Sequence, residues 1–366
     1  MRLFYTILFL LTAFFLTTED FSIFRNDRGL SGYFDVTIND KSVLLWKYKT
    51  GGGISSTPVI YKGALYIGSA DGISYCIDAA SGKKRWTFNA KSQIDSPALC
   101  VNGKVLFGTI EGALYCIDAD SGKPLWKYTS TDKIICSANF FNDKNATRVV
   151  FGSYDNVFTC LDILKGKKIW VYKTDNYING SPAVYEDRIA FGGCDAAVYV
   201  LSSETGKKIF GANTGSYIAA SSCVSDGKIY IGNYDNRFMC IDIKTGKTVW
   251  DYSDPDGAVF VSSAACHDGL VVVGSRDSTV YCFDAKKGKV NWKFTAGGSV
   301  DSSPAICKDR VIFGSKNGLV YMLDLEHGKK IWTYEIGDAV NGSVFAFNGK
   351  FALGSSDGYV YVFGKK

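Results

Sequence analysis

The stretch that decides the fold is Tyr-Cys-Ile-Asp-Ala-Ala-Ser-Gly-Lys-Lys-Arg-Trp at residues 75–86, because it returns along the chain at a nearly constant period. Its final tryptophan recurs with spacings of 40, 40, 44, 40, 40, 42 and 40 residues. The positions are Trp46, Trp86, Trp126, Trp170, Phe210, Trp250, Trp292 and Trp332. A period of about 20 to 50 residues is typical of repeat folds, in which each unit buries its apolar surface against its neighbours. Architecture therefore follows from the repeat, and function from what departs from it.

Four short β-rich runs make up each unit. In the first unit they lie at residues 56–60, 64–69, 73–78 and 85–88. Asp71-Gly72, between the second and third runs, suits a tight hairpin because glycine accepts a positive φ without steric cost. Strands of about five residues in a unit of about 40 leave no room for helices. Each unit is therefore predicted to be one four-stranded antiparallel blade of a β-propeller.

Counting the units predicts eight blades. Seven complete units occupy residues 56–334, and an eighth, at residues 342–363, lacks a fourth strand. The missing strand is found at the other end of the chain, where Val43–Tyr48 matches the fourth strand of every other unit. The sequence therefore predicts an all-β, eight-bladed β-propeller of four-stranded antiparallel blades at residues 43–366. An N-terminal strand completes the last blade and closes the ring, and residues 21–42 form a leader segment before it.

The repeat resembles the tryptophan-docking repeat of the pyrroloquinoline-quinone (PQQ)-like propeller family. An aspartate stands eight residues before the aromatic residue in every complete unit except the one with Ser202, and a Gly-Lys step recurs in all seven. Residues 21–32 are similar to the leader that often opens this family, with Phe21 in place of a tryptophan and Ser22 in place of a proline. The resemblance covers roughly residues 21–364. It implies two functional classes, quinoprotein dehydrogenases and non-enzymatic scaffolds such as BamB of the bacterial outer-membrane β-barrel assembly complex.

The N-terminal sequence predicts a targeting signal. Residues 3–16 form a largely apolar run after Met1-Arg2. A membrane-spanning helix needs about 20 residues, so the run fits the core of a signal peptide within residues 1–20. We expect an exported protein of the periplasm or cell envelope. No clean cleavage site is visible, which leaves an uncleaved anchor open. The first cysteine is Cys76, so a lipidation cysteine of the kind that BamB carries does not follow the run. Membrane contact is expected only through this segment or a partner.

Eleven cysteines are present, and their positions indicate packing and not disulfides. Five occupy one equivalent position in the third strands, namely Cys76, Cys116, Cys160, Cys240 and Cys282. Valine or methionine replaces them in the other units, so the position is predicted to be a buried apolar slot. Cys100, Cys223, Cys266 and Cys307 lie in first strands. First and third strands of one blade are about 9 to 10 Å apart, which is too far for a disulfide.

No catalytic set and no metal site is recognised in the sequence. The two histidines, His267 and His327, lie in predicted turns of different blades, and neither a Cys-x-x-Cys pair nor a His-Glu-x-x-His motif occurs. With a net charge of +5 and no basic surface interleaved with aromatic residues, nucleic acid is not an expected partner.

One aligned position, just before the first strand of each unit, differs in residue type from unit to unit. Around the ring it is occupied by Ser55, Asp95, Cys136, Asn179, Ala219, Val261, Asp301 and Asn341. Four of these, Asp95, Asn179, Asp301 and Asn341, could offer oxygen ligands to a hard cation in an axial funnel. The resemblance implies PQQ and calcium there if the chain is an enzyme. The other interpretation is that these residues cap strand ends. The chain lacks the adjacent cysteines and long insertions of the family's enzymes, which weighs against catalysis and cofactors.

Two longer loops reach the same face, at residues 173–180 and 253–259. Loops on a rigid scaffold commonly carry binding residues, so Asn176, Tyr177, Asp254 and Asp256 are the candidates for partner contact. We therefore predict a monomeric, exported, non-catalytic scaffold that binds protein partners at the cell envelope, as BamB does. Two alternatives stay open: a PQQ- and calcium-dependent quinoprotein dehydrogenase, and a propeller that binds a sugar or peptide without chemistry.

Overall fold

The computed structural model describes residues 21–144, 146–254 and 257–366. The strands before the first complete blade are β1 (Phe21–Ser22), β2 (Tyr33–Phe34) and β3 (Val43–Lys49). Blade 1 contains β4 (Val59–Tyr61), β5 (Ala64–Gly68), β6 (Ile73–Asp78) and β7 (Lys84–Asn89). Blade 2 contains β8 (Leu99–Val101), β9 (Lys104–Gly108), β10 (Ala113–Asp118) and β11 (Pro124–Thr129). Blade 3 contains β12 (Asn139–Asp143), β13 (Ala146–Gly152), β14 (Val157–Asp162) and β15 (Lys168–Lys173). Blade 4 contains β16 (Ala183–Tyr185), β17 (Arg188–Gly192), β18 (Ala197–Ser202) and β19 (Lys208–Asn213).

The second half of the ring repeats this order. Blade 5 contains β20 (Cys223–Ser225), β21 (Lys228–Gly232), β22 (Arg237–Asp242) and β23 (Thr248–Ser253). Blade 6 contains β24 (Ala265–His267), β25 (Leu270–Gly274), β26 (Thr279–Asp284) and β27 (Val290–Thr295). Blade 7 contains β28 (Ala305–Cys307), β29 (Arg310–Gly314), β30 (Leu319–Asp324) and β31 (Lys330–Glu335). Blade 8 contains β32 (Phe345–Phe347), β33 (Lys350–Gly354) and β34 (Tyr359–Gly364).

The predicted eight-bladed fold is confirmed, including the way in which the ring closes. Strand β3 pairs with β34 in antiparallel register, with Trp46 opposite Val362, and so supplies the fourth strand of blade 8. The first strand of blade 8, β32, contacts β4 of blade 1, which joins the two ends of the chain around the axis. Closure in this way gives blade 8 its fourth strand and leaves every blade packed between two neighbours.

Every tryptophan of the repeat except Trp332 packs on a glycine of the next blade, whereas Trp332 packs edge-on against Phe351 and Phe363 of blade 8. A Cβ atom built on Gly288 of blade 6 would lie 2.5 Å from Cδ2 of Trp250 of blade 5, and the Trp250 indole N–H donates to Ala285 O at 2.8 Å. The same indole hydrogen bond is made by Trp46, Trp86, Trp126, Trp170 and Trp292. Phe210 has no side-chain N–H. The carbonyl that a tryptophan at this position would reach, Ile243 O, accepts a hydrogen bond from Arg188 at 3.2 Å. Tryptophan docking of this kind therefore joins most neighbouring blades of the ring.

The leader crosses one end of the axis, and we call its residues 21–34 the plug. Its carbonyl oxygens at Arg28, Gly29, Ser31 and Gly32 accept hydrogen bonds from the first strands of blades 4, 5, 6 and 7. Strand β1 pairs with β8, and β2 pairs in parallel with β28. Two of the eight sheets therefore have five strands, a departure from the predicted four, because these first strands have a free edge at the axis that the plug occupies.

The plug is anchored by a buried arginine. Arg25 is 1% exposed, and its guanidinium donates to the backbone carbonyls of Ala264 in blade 6 and Pro304 in blade 7. Burial disfavours the charged form and lowers the pKa of Arg25 to about 10. Gly32 has a φ of +66°, and a Cβ atom there would overlap the guanidinium. We call the face of the ring that the plug covers the plug face. The opposite face, which carries the loops between blades, is called the loop face.

In the described residues, no helix has the length and apolar character needed to cross a membrane. The predicted signal segment at residues 1–20 lies outside the residues that the structure describes.

Candidate partner-binding surface

The structure places all four predicted cation ligands on the loop face, just before first strands. They belong to blades 2, 4, 7 and 8 and are half-buried. The prediction was wrong for blade 3, where Ile135 and not Cys136 holds the equivalent position. The amide of Ile134 bonds to Thr109 O just as the amide of Ile94 bonds to Ser69 O, so the buried isoleucine sets the register. Cys136 is one residue further along and buried.

These four residues are engaged in separate local contacts. The Gln93 amide donates to both oxygens of Asp95 at 3.0 Å, and the Tyr154 hydroxyl donates to Asn179 Oδ1 at 3.1 Å. The Asn341 amide donates to the Ser356 hydroxyl at 3.3 Å. The structure therefore does not bring the four side chains together into one ligand set.

Asp301 has its charge already balanced. Arg276 and Lys316 both lie 2.9 Å from its carboxylate. Burial alone would raise the pKa of Asp301, but the hydrogen bonds from these two cations outweigh it and lower the pKa below its ordinary value. Among the residues that the structure describes, no group of three His, Cys, Asp or Glu side chains could hold a metal ion. Asp301 is therefore already engaged by two cationic side chains, which disfavours its use as a ligand of a calcium ion.

The predicted partner residues divide into structural and exposed ones. Asn176 holds its own loop, because its amide donates to Cys194 O at 3.1 Å and its Oδ1 accepts from the Tyr177 amide. Asp254 is paired with Lys293 at 2.7 Å. Tyr177 is 47% exposed and is available for contact. Asp256 lies outside the described residues.

Tyr177 is one of four tyrosines that follow one another around the loop face. They are Tyr154, Tyr177, Tyr217 and Tyr234, and we call them the tyrosine crescent. In each of blades 3 to 5 a backbone hydrogen bond joins the loop that leads into the blade to the turn after the blade's second strand. Each of the four tyrosines contributes its backbone N–H or C=O to one of these hydrogen bonds. These loop and turn positions are held by Lys133 and Tyr154 in blade 3, Tyr177 and Cys194 in blade 4, and Tyr217 and Tyr234 in blade 5.

Contacts between the blades hold part of the crescent in place. The rings of Tyr154 and Tyr177 stack with centroids 5.0 Å apart and an angle of 6°. The Lys133 ammonium lies 5.7 Å from the centre of the Tyr154 ring, and the Arg276 guanidinium lies 5.9 Å from the centre of the Tyr234 ring. A cationic side chain therefore packs on the ring at each end of the crescent. Burial raises the pKa of Tyr154 to about 12, which keeps its hydroxyl protonated as the donor to Asn179. Tyr154, Tyr177 and Tyr234 are therefore held in place by contacts within the protein itself.

The rest of the loop face lacks comparable side chains at these positions. None of the equivalent positions in the other five blades holds an aromatic residue. They are Gly53 and Ala70 in blade 1, Gln93 and Ile110 in blade 2, Val259 and Arg276 in blade 6, Ser299 and Lys316 in blade 7, and Ala339 and Ser356 in blade 8. In contrast, Tyr177, Tyr217 and Tyr234 are 47%, 58% and 41% exposed. A ring of similar blades has no structural need for large exposed aromatic groups on one side alone. The asymmetry thus marks blades 3 to 5 as a candidate contact surface.

Two cavities lie on the plug face and are not lined by the crescent. One, of about 620 Å³, is bounded by the plug and blades 4 to 6 and includes Cys266 and His267. The other, of about 450 Å³, lies beside it and shares Tyr33 and His267, whose rings stack 3.6 Å apart. The crescent is therefore a surface and not the wall of either cavity.

The sequence contains a signal for Tyr154, Tyr217 and Tyr234, which were not among the predicted partner residues. Tyr154 and Tyr234 both follow Gly-Ser or Gly-Asn and precede Asp-Asn, at the same offset in their units. Tyr177 and Tyr217 both precede an isoleucine that is buried at the start of a blade. Alignment of the repeats by the loop positions would have placed all four on one face.

Comparison with known proteins agrees with the architecture. A model of the family described as "Beta-alanine-activating enzyme, beta-propeller" matches residues 142–365. A search among curated proteins found no match.

Solved structures share the fold at low sequence identity. BamB from Moraxella catarrhalis has a TM-score of 0.76 and 19% identity over 88% of this chain and 100% of that one. A europium-containing methanol dehydrogenase has a TM-score of 0.80 and 14% identity over 93% and 97%. The quinohemoprotein alcohol dehydrogenase ADHIIG from Pseudomonas putida HK5 has a TM-score of 0.81 and 14% identity over 95% and 80%. Identities this low show the fold alone. Since the family model matches more than half of its length and its tryptophans dock from blade to blade, the chain belongs to the beta-propeller family of the beta-alanine-activating enzyme, among the PQQ-like repeat propellers.

Proposed function

We propose that this chain is an exported, non-catalytic propeller that binds a protein partner at the cell envelope through the tyrosine crescent. The observation that carries the proposal is the presence of three tyrosines, each 41% to 58% exposed, on the loop face of consecutive blades. Tyrosine is enriched at protein interfaces because it offers a large apolar ring and a polar tip at low conformational cost. The apolar run at residues 3–16 supports export, and the fold shared with BamB is consistent with a scaffold role.

The shape of the surface favours a macromolecule over a small ligand. Small-molecule sites are concave and enclose most of the ligand. The crescent lines neither of the two cavities described above and runs across three blades. A protein segment lying across blades 3 to 5 would contact all four rings, with Lys133 and Arg276 at the ends of the contact. A sugar that stacks on one ring is the alternative that the test below separates.

Replacing Tyr177, Tyr217 and Tyr234 together with alanine is expected to weaken partner capture about 10- to 100-fold, since exposed aromatic anchors commonly dominate an interface. The tagged protein is cross-linked in envelope extracts of its source, and the captured proteins are identified and then titrated. The matched control replaces Ile169, Ile209 and Val249 with alanine. These residues are 46%, 43% and 45% exposed on the fourth strands of blades 3, 4 and 5.

Three outcomes are informative. Loss in the tyrosine variant with retention in the control supports the proposal. Equal capture by both variants contradicts it. Saturable binding of oligosaccharides that disappears in the tyrosine variant, with no captured protein, would replace the protein partner with a sugar.

We also propose that binding requires neither PQQ nor calcium. Asp301 is neutralised by Arg276 and Lys316, and its three companions each have a separate local partner. Titration of the purified protein with PQQ and calcium chloride is expected to show no saturable change in quinone absorbance and no dye reduction with alcohols or sugars. Saturable binding with turnover that the Asp301→Ala variant loses would establish the quinoprotein alternative instead.

A further inference from the structure

Two cysteines of neighbouring blades meet below the plug. Cys223 begins β20, the innermost strand of blade 5, and Cys266 lies in β24, the innermost strand of blade 6. Their Sγ atoms are 2.9 Å apart, and the residues are 0% and 5% exposed. Within one blade the second strand separates the cysteines of the first and third strands, whereas the first strands of neighbouring blades lie side by side around the axis.

The distance between the sulfurs fits one kind of modification. A disulfide has an S–S bond of about 2.05 Å, so the sulfurs need to approach by less than about 1 Å. Two thiolates on a shared zinc ion, with Zn–S bonds of about 2.3 Å in tetrahedral geometry, would stand roughly 3.7 Å apart. The pair is therefore already closer than a shared metal would hold it.

We propose that Cys223 and Cys266 form a disulfide that links the innermost strands of blades 5 and 6. The oxidant is a disulfide, either a small molecule or an oxidised dithiol protein. The thiolate of one cysteine attacks that disulfide, which forms a mixed disulfide and releases one thiolate of the oxidant. The second cysteine thiolate then attacks the first cysteine's sulfur and displaces the other half. The two cysteine protons end on the released thiols, and the oxidant is reduced by two electrons.

The surroundings of the two thiols indicate which one reacts with the oxidant first. Cys266 lines the plug-face cavity of about 620 Å³, whereas Cys223 is fully buried. Cys266 is therefore the thiol that an oxidant reaches first, and Cys223 resolves the mixed disulfide. Burial raises the pKa of the Cys266 thiol well above its ordinary value, although the Arg25 guanidinium opposes this. The folded protein should consequently oxidise slowly, and oxidation should be fastest before the plug has closed over the strand, where Ser31 O accepts from the Cys266 amide.

The proposal is tested by mass spectrometry of the full chain after refolding with oxidised glutathione. The product is denatured without reductant, alkylated with iodoacetamide and digested with trypsin, which cleaves between the two cysteines at Lys228 and Lys247. We expect two fewer alkylated cysteines than the eleven in the chain, and a cross-linked pair of peptides that reduction separates. Alkylation of all eleven, or a cross-link between other cysteines, would overturn the proposal.

A matched control removes two other thiols from the same blades. The C240S/C282S variant lacks the third-strand cysteines of blades 5 and 6 and is expected to keep the cross-link. The C223S/C266S variant is expected to have none, and reductant should lower the unfolding temperature of the wild type and of the control by several degrees but leave this variant unchanged. An identical effect of reductant on all three proteins would contradict a structural disulfide. The mass measurement on the wild type decides the matter even if a variant fails to fold.

Discussion

The Gly288→Ala variant is expected to lose about 3 kcal/mol of unfolding free energy. Gly288 has a φ of +66°, a conformation that costs an alanine about 1 kcal/mol. The new Cβ atom would also lie 2.5 Å from Cδ2 of Trp250, which is 9% exposed and held by its bond to Ala285 O. Displacing a packed indole adds an overpacking cost of about 1 to 3 kcal/mol. Urea unfolding followed by tryptophan fluorescence measures the loss.

Gly269→Ala in the same blade is the matched control. Gly269 has a φ of +74°, and a Cβ atom there would have no heavy atom within 4 Å. Only the backbone cost applies, so we expect a loss of about 1 kcal/mol. The difference between the two variants measures tryptophan docking. Equal losses would show that docking contributes little and that the glycine is needed for its backbone conformation alone.

The Arg25→Ala variant is expected to lose about 3 kcal/mol, because the arginine joins the plug to blades 6 and 7. Its removal leaves the buried carbonyls of Ala264 and Pro304 without their donor and opens a cavity at the axis. Relief of the buried charge, whose pKa is lowered to about 10, offsets part of this cost. Urea unfolding of the full chain measures the loss.

A double-mutant cycle with Gly32→Ala tests the contact itself. A Cβ atom at Gly32 would overlap the Arg25 guanidinium, so Gly32→Ala alone should be costly. In the Arg25→Ala background the overlap is gone, and only the cost of a φ of +66° remains. We expect the two changes to be non-additive by about 1 to 2 kcal/mol. Additive losses would mean that the plug does not pack against the guanidinium as described.

The candidate surface could be predicted only in part. The longer loop at residues 173–180 indicated the loop face and Tyr177, which the structure exposes. Asn176 and Asp254 were also predicted to contact a partner. In the structure Asn176 donates a hydrogen bond to Cys194 O and Asp254 forms an ion pair with Lys293. A side chain's local partners depend on neighbouring turns that the repeat spacing does not specify. The other three tyrosines needed the loop positions of several blades to be compared.

Sequence alone determined the number of blades, the strand order and the closing strand. These features rest on local patterns that recur with every unit: apolar runs, turn residues and one docking aromatic group, each acting within a blade or on the next one. Tertiary structure decided which side chains of different blades meet. Tyr154 stacks on Tyr177, Arg276 neutralises Asp301, and Cys223 touches Cys266. Such contacts depend on how blades are rotated about the axis and on where the plug lies, and neither is encoded in the spacing of a repeat.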